Sequence, residues 1–132
     1  MVVIKAKAVV PLDRGGGVRT IPLVTPSSVV GAKIASGIST YPAGEGAPLH
    51  HHNCDEQVTL LDGSGEVEIN GVVTQLELRD STYIEAGIEH AFRNTGSAPM
   101  TILWIYTAAR VTRTFSASGE TVEHLSPSDR LA

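Results

Sequence analysis

Residues 44–63 read GEGAPLHHHNCDEQVTLLDG, and the fold turns on what the three consecutive histidines do there. Successive side chains of a strand point to opposite faces, so His50 and His52 share a face that His51 does not. At most two of the three enter one pocket, and His51 is left for solvent or a partner chain. The run lies mid-chain between patterned apolar segments, which separates it from a purification tag. Glu56 follows after a three-residue break, and Val58 and Leu60 continue its parity. That parity predicts that Val58 and Leu60 line the interior beside Glu56.

Outward from this stretch the alternation continues in both directions. VVIKAKAVV near the start alternates. EQVTLLDGSGEVEING reads as two short strands around a glycine turn, and VVTQLEL, STYIEAG, EHAFRN, MTILWIY and VTRTFSASGETVEHL keep the same spacing. Gly, Pro, Asn and Asp punctuate these runs. Only SSVVGAKIASG invites a helical reading, and its glycines and valines favour a strand or turn. Short strands with a turn signal about every 8 to 12 residues predict an all-β sandwich or barrel. The loop DRGGGVR and the segment SPSDRLA read as frayed.

Length and composition agree with one domain over residues 1–132. The chain has 132 residues, 42% of them hydrophobic, enough for one core and too few for two. The opening residues carry lysines inside the apolar stretch and do not resemble a signal peptide. No run approaches the roughly eighteen apolar residues of a membrane span. A single cysteine, Cys54, makes no internal disulfide and fits a reducing cytoplasm. With a net charge of −4 the chain lacks a basic footprint for nucleic acid, and Arg110 and Arg113 do not change that.

Chemistry can now be laid on the strands. His50, His52 and Glu56 are joined by His90, in the later strand EHAFRN, so four first-row metal ligands can converge inside one barrel. Three imidazoles and a carboxylate suit Fe(II), Mn(II), Ni(II) or Zn(II) and leave open positions in an octahedral shell. For a lone histidine the bland reading, a hydrogen-bonded or surface residue, is preferred; for a spaced set it weakens.

These residues carry a resemblance: the chain resembles a small single-domain cupin. The family's first motif, G(X)5HXH(X)3,4E(X)6G, is matched by Gly44, His50, His52, Glu56 and Gly63. The second, G(X)5PXG(X)2H(X)3N, is matched at Gly87, His90 and Asn94, with Arg79 in place of the first glycine and Glu85 in place of the proline. Motif one spans residues 44–63 and motif two residues 79–94. The resemblance implies a double-stranded β-helix, or jelly-roll barrel, with a divalent metal held by His50, His52, Glu56 and His90. Arg79 and Glu85 are expected to reshape the turn beside the pocket, with Asp80 keeping it polar.

The remaining residues are read more plainly. Cys54 lies between ligand candidates, yet free cysteines are usually buried and inert. His124 lacks a spaced companion and reads as structural. RGGG lacks the Lys and Ser or Thr of a phosphate-binding loop. Trp104 and Tyr106 share a face and read as core. With Val58, Leu60 and Phe92 as apolar wall, and Lys33 the only basic candidate on the earlier strands, the expected ligand is a small, partly apolar molecule that chelates through oxygen. A phosphorylated sugar fits less well. Cupins resembling this chain include dioxygenases, decarboxylases, isomerases, lyases and binding proteins. A dioxygenase-type enzyme is preferred here, because redox chemistry at a metal needs little acid–base help from the protein. A Lewis-acid lyase, isomerase or decarboxylase and a non-catalytic binder are the alternatives. Small cupins are commonly dimers, and the alternating N-terminal segment predicts a homodimer through that strand.

Overall fold

The computed structural model describes residues 1–131. Twelve strands run in order: β1 (Leu12–Asp13), β2 (Arg19–Pro22), β3 (Ala35–Tyr41), β4 (His50–His52), β5 (Glu56–Asp62), β6 (Gly65–Ile69), β7 (Val72–Leu76), β8 (Ser81–Ile84), β9 (His90–Arg93), β10 (Met100–Tyr106), β11 (Thr112–Phe115) and β12 (Thr121–Glu123). They form two six-stranded sheets, ordered β1-β2-β3-β10-β5-β8 and β12-β11-β4-β9-β6-β7, with every pairing antiparallel. The result is the expected all-β, jelly-roll-like architecture, with no α-helix among the described residues.

Alternation in the sequence becomes alternation in burial. Met100, Ile102, Trp104 and Tyr106 of β10 are buried, as are Glu56, Val58 and Leu60 of β5, while Gln57 between them is exposed. The register pairs Tyr106 with Glu56, Trp104 with Val58 and Ile102 with Leu60, so the two strands present one continuous inward stripe. From the opposite sheet Val67 and Phe92 join the same core.

Turn chemistry sets the register. Asn70 and Gly71 both take positive φ, +49° and +84°, and join β6 to β7 with Ile69 opposite Val72, the two-residue hairpin that Asn-Gly favours. At Gly63 the demand is double. Its φ is +79°, and a Cβ there would stand 2.3 Å from the Pro99 carbonyl oxygen. The asparagine that closes the second motif is a bracket: Asn94 Nδ2 donates to the Tyr41 and Ala98 carbonyls, and its Oδ1 accepts from the Gly96 N–H. It clips the turn between β9 and β10 onto β3.

Two sequence expectations are corrected. VVIKAKAVV is not a strand: its centre, Ala6–Ala8, is a single 3-10 turn, and Val2, Val3 and Val10 are exposed. Alanine and lysine favour helical dihedrals over extended ones, and the valines that flank them are consecutive rather than alternating. The segments read as frayed are pinned to each other. Arg14 and Val18 of the glycine loop are buried, as are Asp129 and Leu131, and the Leu131 N–H donates to the Arg14 carbonyl at 2.7 Å. Polar composition had suggested exposure, but here the polar groups are one buried ion pair, Arg14 with Asp129 at 2.8 Å.

Candidate metal centre

His50 and His52 project inward from β4 because the strand buries alternate residues; His51 between them is half-buried and faces the other way. The register sets His50 opposite His90 of β9, which puts a third imidazole on the same inner face. Ring centroids are 4.4 Å apart for His50 and His90, 4.8 Å for His50 and His52, and 5.3 Å for His52 and His90. All three are buried, and their ligand nitrogens lie within 4.8 Å of one another, positioned for a metal ion. Glu56 arrives from the other sheet, its Oε1 2.9 Å from His90 Nε2 and 3.9 Å from His52 Nε2.

Each ring is oriented by the backbone. His50 Nδ1 lies 2.6 Å from the Pro48 carbonyl, His52 Nδ1 3.0 Å from that of Thr112, and His90 Nδ1 2.8 Å from that of Ile88. A carbonyl only accepts, so each Nδ1 carries the proton and each Nε2 presents a lone pair to the interior. Burial, with Arg113 next, lowers the His50 pKa well below the usual histidine value. Burial also lowers His52 to about 4, with the Glu56 charge acting against it. Both rings are therefore neutral near pH 7, the form that binds a metal.

Burial works to raise the Glu56 pKa, but His90 and His52 outweigh it, and the carboxyl is ionised below the usual glutamate range. The carboxylate then faces the lone pair of His90 at hydrogen-bond distance. Two acceptors at 2.9 Å require a second ring proton or a cation shared between them. A donor set of three imidazoles and one carboxylate fits a divalent first-row ion.

A cavity beside this group encloses about 20 Å³ open to the centre of a water molecule. Phe92 lines it; Val58 and Leu60 are buried in the core and are not among its lining residues. Several residues that the sequence had put elsewhere do line it. Tyr106 and Trp104 face it, and the Tyr106 hydroxyl stands 3.2 Å from His52 Nε2. Burial and the nearby Glu56 charge hold that phenol well above its ordinary pKa, so it stays protonated. His124 also lines it, with its ring 4.9 Å from those of Trp104 and Tyr106, and the same residue borders a surface cleft of about 500 Å³.

The sequence placed no arginine in the pocket, and the structure places two there, since Arg14 and Arg113 both line the cavity. Arg113 had a visible signal: it sits between Val111 and Phe115 at the inward parity of its strand. Arg14 had none, since its partner Asp129 is 115 residues away. Cys54 is buried, and burial raises its thiol to about 11, which keeps it protonated and inert. Lys33 lies before β3 and is absent from the lining.

Comparison with known proteins agrees with the fold. The cupin domain family model matches residues 37–106, and the chain belongs to the cupin family. It is 31% identical over 102 residues to the tetracenomycin polyketide synthase protein TcmJ of Streptomyces glaucescens, a match covering 76% of this chain and 68% of that protein. A predicted oxalate decarboxylase from Thermotoga maritima superposes with a TM-score of 0.71 at 22% identity, covering 80% of this chain and 98% of that one. Salicylate 1,2-dioxygenase from Pseudoaminobacter salicylatoxidans, in a mutant form, superposes with a TM-score of 0.65 at 17% identity, covering 74% of this chain and 28% of the larger one.

Proposed function

We propose that this cupin is a metal-dependent enzyme of the dioxygenase type, acting on a small molecule at a centre built from His50, His52, Glu56 and His90. The observation that carries the reading is the common orientation of the three histidines, each Nδ1 tied to a carbonyl and each Nε2 turned to the interior, with an ionised Glu56 facing them from the opposite sheet. Bound there, an Fe(II) or Mn(II) ion supplies a redox-capable site with positions left for substrate and dioxygen. The chain's own part is to orient the ligand atoms, exclude water and hold the charge. The neighbours include a salicylate dioxygenase and a predicted oxalate decarboxylase, so this scaffold accommodates both oxidative and non-oxidative chemistry.

Tyr106 favours a second reading. Its protonated hydroxyl, 3.2 Å from His52 Nε2, is an acid that can protonate or hydrogen-bond a developing oxyanion, which suits a Lewis-acid decarboxylase, lyase or isomerase. Oxygen uptake with small enediols, diketones, catechols and thiols, compared among the Fe(II), Mn(II) and Zn(II) forms, separates the two. The dioxygenase reading expects turnover with Fe(II) or Mn(II), dependence on oxygen and none with Zn(II). Equal anaerobic turnover by the zinc form overturns it, and the absence of turnover in all forms makes the protein a binding cupin.

A further inference from the structure

Arg113 is a buried guanidinium whose donors the fold leaves largely unused. Pairing of β11 with β4 sets Arg113 opposite His52, and residues opposite one another in an antiparallel pair share a face, so Arg113 points inward beside the histidines. It is 4% exposed and lines the cavity with His50, Glu56 and Tyr106. Its Nη1 has no hydrogen-bond partner among the described residues. Its Nε comes within 2.9 Å of Asp129 Oδ1, but the N–H is not aligned on that oxygen, and the contact is an ion pair without a hydrogen bond.

Arg14 is the contrast. Its Nε donates to the Asp129 carbonyl, its Nη1 to Thr20 Oγ1 and its Nη2 to Asp129 Oδ2. All three nitrogens of Arg14 are engaged, two of them in holding the segment after β12 against the barrel. One carboxylate thus serves two guanidiniums, and Arg113 has the poorer share. Charge makes the same point. Asp129 and Glu56 balance Arg14 and Arg113, so a divalent cation at the histidines leaves two positive charges enclosed. An unmade hydrogen bond on a buried charged group is costly, and a carboxylate fits the guanidinium fork with two parallel bonds.

We propose that Arg113 is a specificity-determining residue that takes the carboxylate of an acidic small-molecule ligand, whose remaining donor atoms reach the neighbouring histidine centre. The reach of the remaining donor atoms and the surplus of positive charge rest on the metal-centre reading; the unpartnered guanidinium does not. Asp129 holds the guanidinium in the ligand-free protein and competes with the incoming acid, and the cavity of about 20 Å³ must open to admit it.

The test is calorimetric titration of the full chain with pyruvate and pyruvamide, salicylate and salicylamide, and inorganic phosphate. Each amide keeps the shape of its acid and lacks the charge. Wild type, Arg113→Gln and Asp129→Asn are compared, each in a Zn(II)-loaded and an EDTA-treated form. Wild type is expected to bind at least one acid about tenfold more tightly than its amide. Arg113→Gln should remove that preference without changing the amide, and Asp129→Asn should strengthen acid binding severalfold. If Arg113→Gln does not fold, Asp129→Asn decides: unchanged or weaker acid binding overturns the proposal. Acid and amide binding alike, neither acid binding, an acid preference that survives Arg113→Gln, or phosphate alone being held also overturns it. A preference present with zinc and lost with EDTA assigns the acid to the metal and removes Arg113 from the role. A preference that persists in protein unable to hold zinc keeps Arg113 and defeats the metal-centre reading instead.

Discussion

A histidine without charge is the unit from which this site is built. His52 illustrates how burial makes it so. Its pKa of about 4 in the fold lies below the roughly 6.5 of an unfolded chain, so the unfolded state binds the extra proton first as pH falls. The stability contributed by the neutral ring is therefore whole above pH about 6.5 and lost progressively toward pH about 4. His50 and His124 are lowered in the same direction by burial and steepen the same window. For His52 alone the loss is at most roughly 3–4 kcal/mol. We predict that the EDTA-treated protein melts at a lower temperature at pH 5 than at pH 7.5; equal or higher melting at pH 5 would refute the buried neutral rings. Residues of this kind were legible in the sequence because parity on a strand assigns faces. Arg14 and Asp129 were not, since their pairing joins distant segments and no local pattern encodes it.

Among the elements, the turn before β8 tests how a departure from the family motif is accommodated. Arg79 stands where the motif has glycine, and its φ is +72°, so the backbone keeps the left-handed conformation with a side chain attached. Its N–H donates to the Leu60 carbonyl at 2.8 Å and ties the turn to β5. A left-handed non-glycine residue costs roughly 1–2 kcal/mol, and glycine gives back about 0.4–1 kcal/mol through unfolded-state entropy. Arg79→Gly should therefore stabilise the protein by about 0.5–1 kcal/mol in urea titration. A destabilised variant would show that the Arg79 side chain makes an interaction that outweighs the strain. From β5 to β12 strand existence could be read from alternation, whereas β1 and β2, flanking the glycine loop, carried no such signal. The N-terminal segment could not, because spaced lysines imitate a strand's period while alanine and lysine favour a turn.

On the scale of the whole molecule, the site belongs to neither sheet alone. The first motif's spacing made its candidate ligands readable in advance, yet the charge of the cavity depends on a segment that the sequence made look loose. The homodimer remains a proposal, now resting on the exposed Val2, Val3 and Val10 of an irregular segment rather than on an edge strand. Light scattering at micromolar concentration should give twice the chain mass, falling to one on deletion of residues 1–10; a monomer unaffected by the deletion would reject it. The central claim is that His50, His52 and His90 from one sheet and Glu56 from the other hold one metal ion. Elemental analysis of wild type and of five single alanine variants, each expressed with iron, manganese, nickel and zinc supplied, addresses it directly. Near-stoichiometric metal is expected in wild type and His51→Ala, with losses of at least about tenfold in affinity for His50→Ala, His52→Ala, Glu56→Ala and His90→Ala. Metal lost from His51→Ala as readily as from His52→Ala, or absent from wild type under every supply, would contradict it.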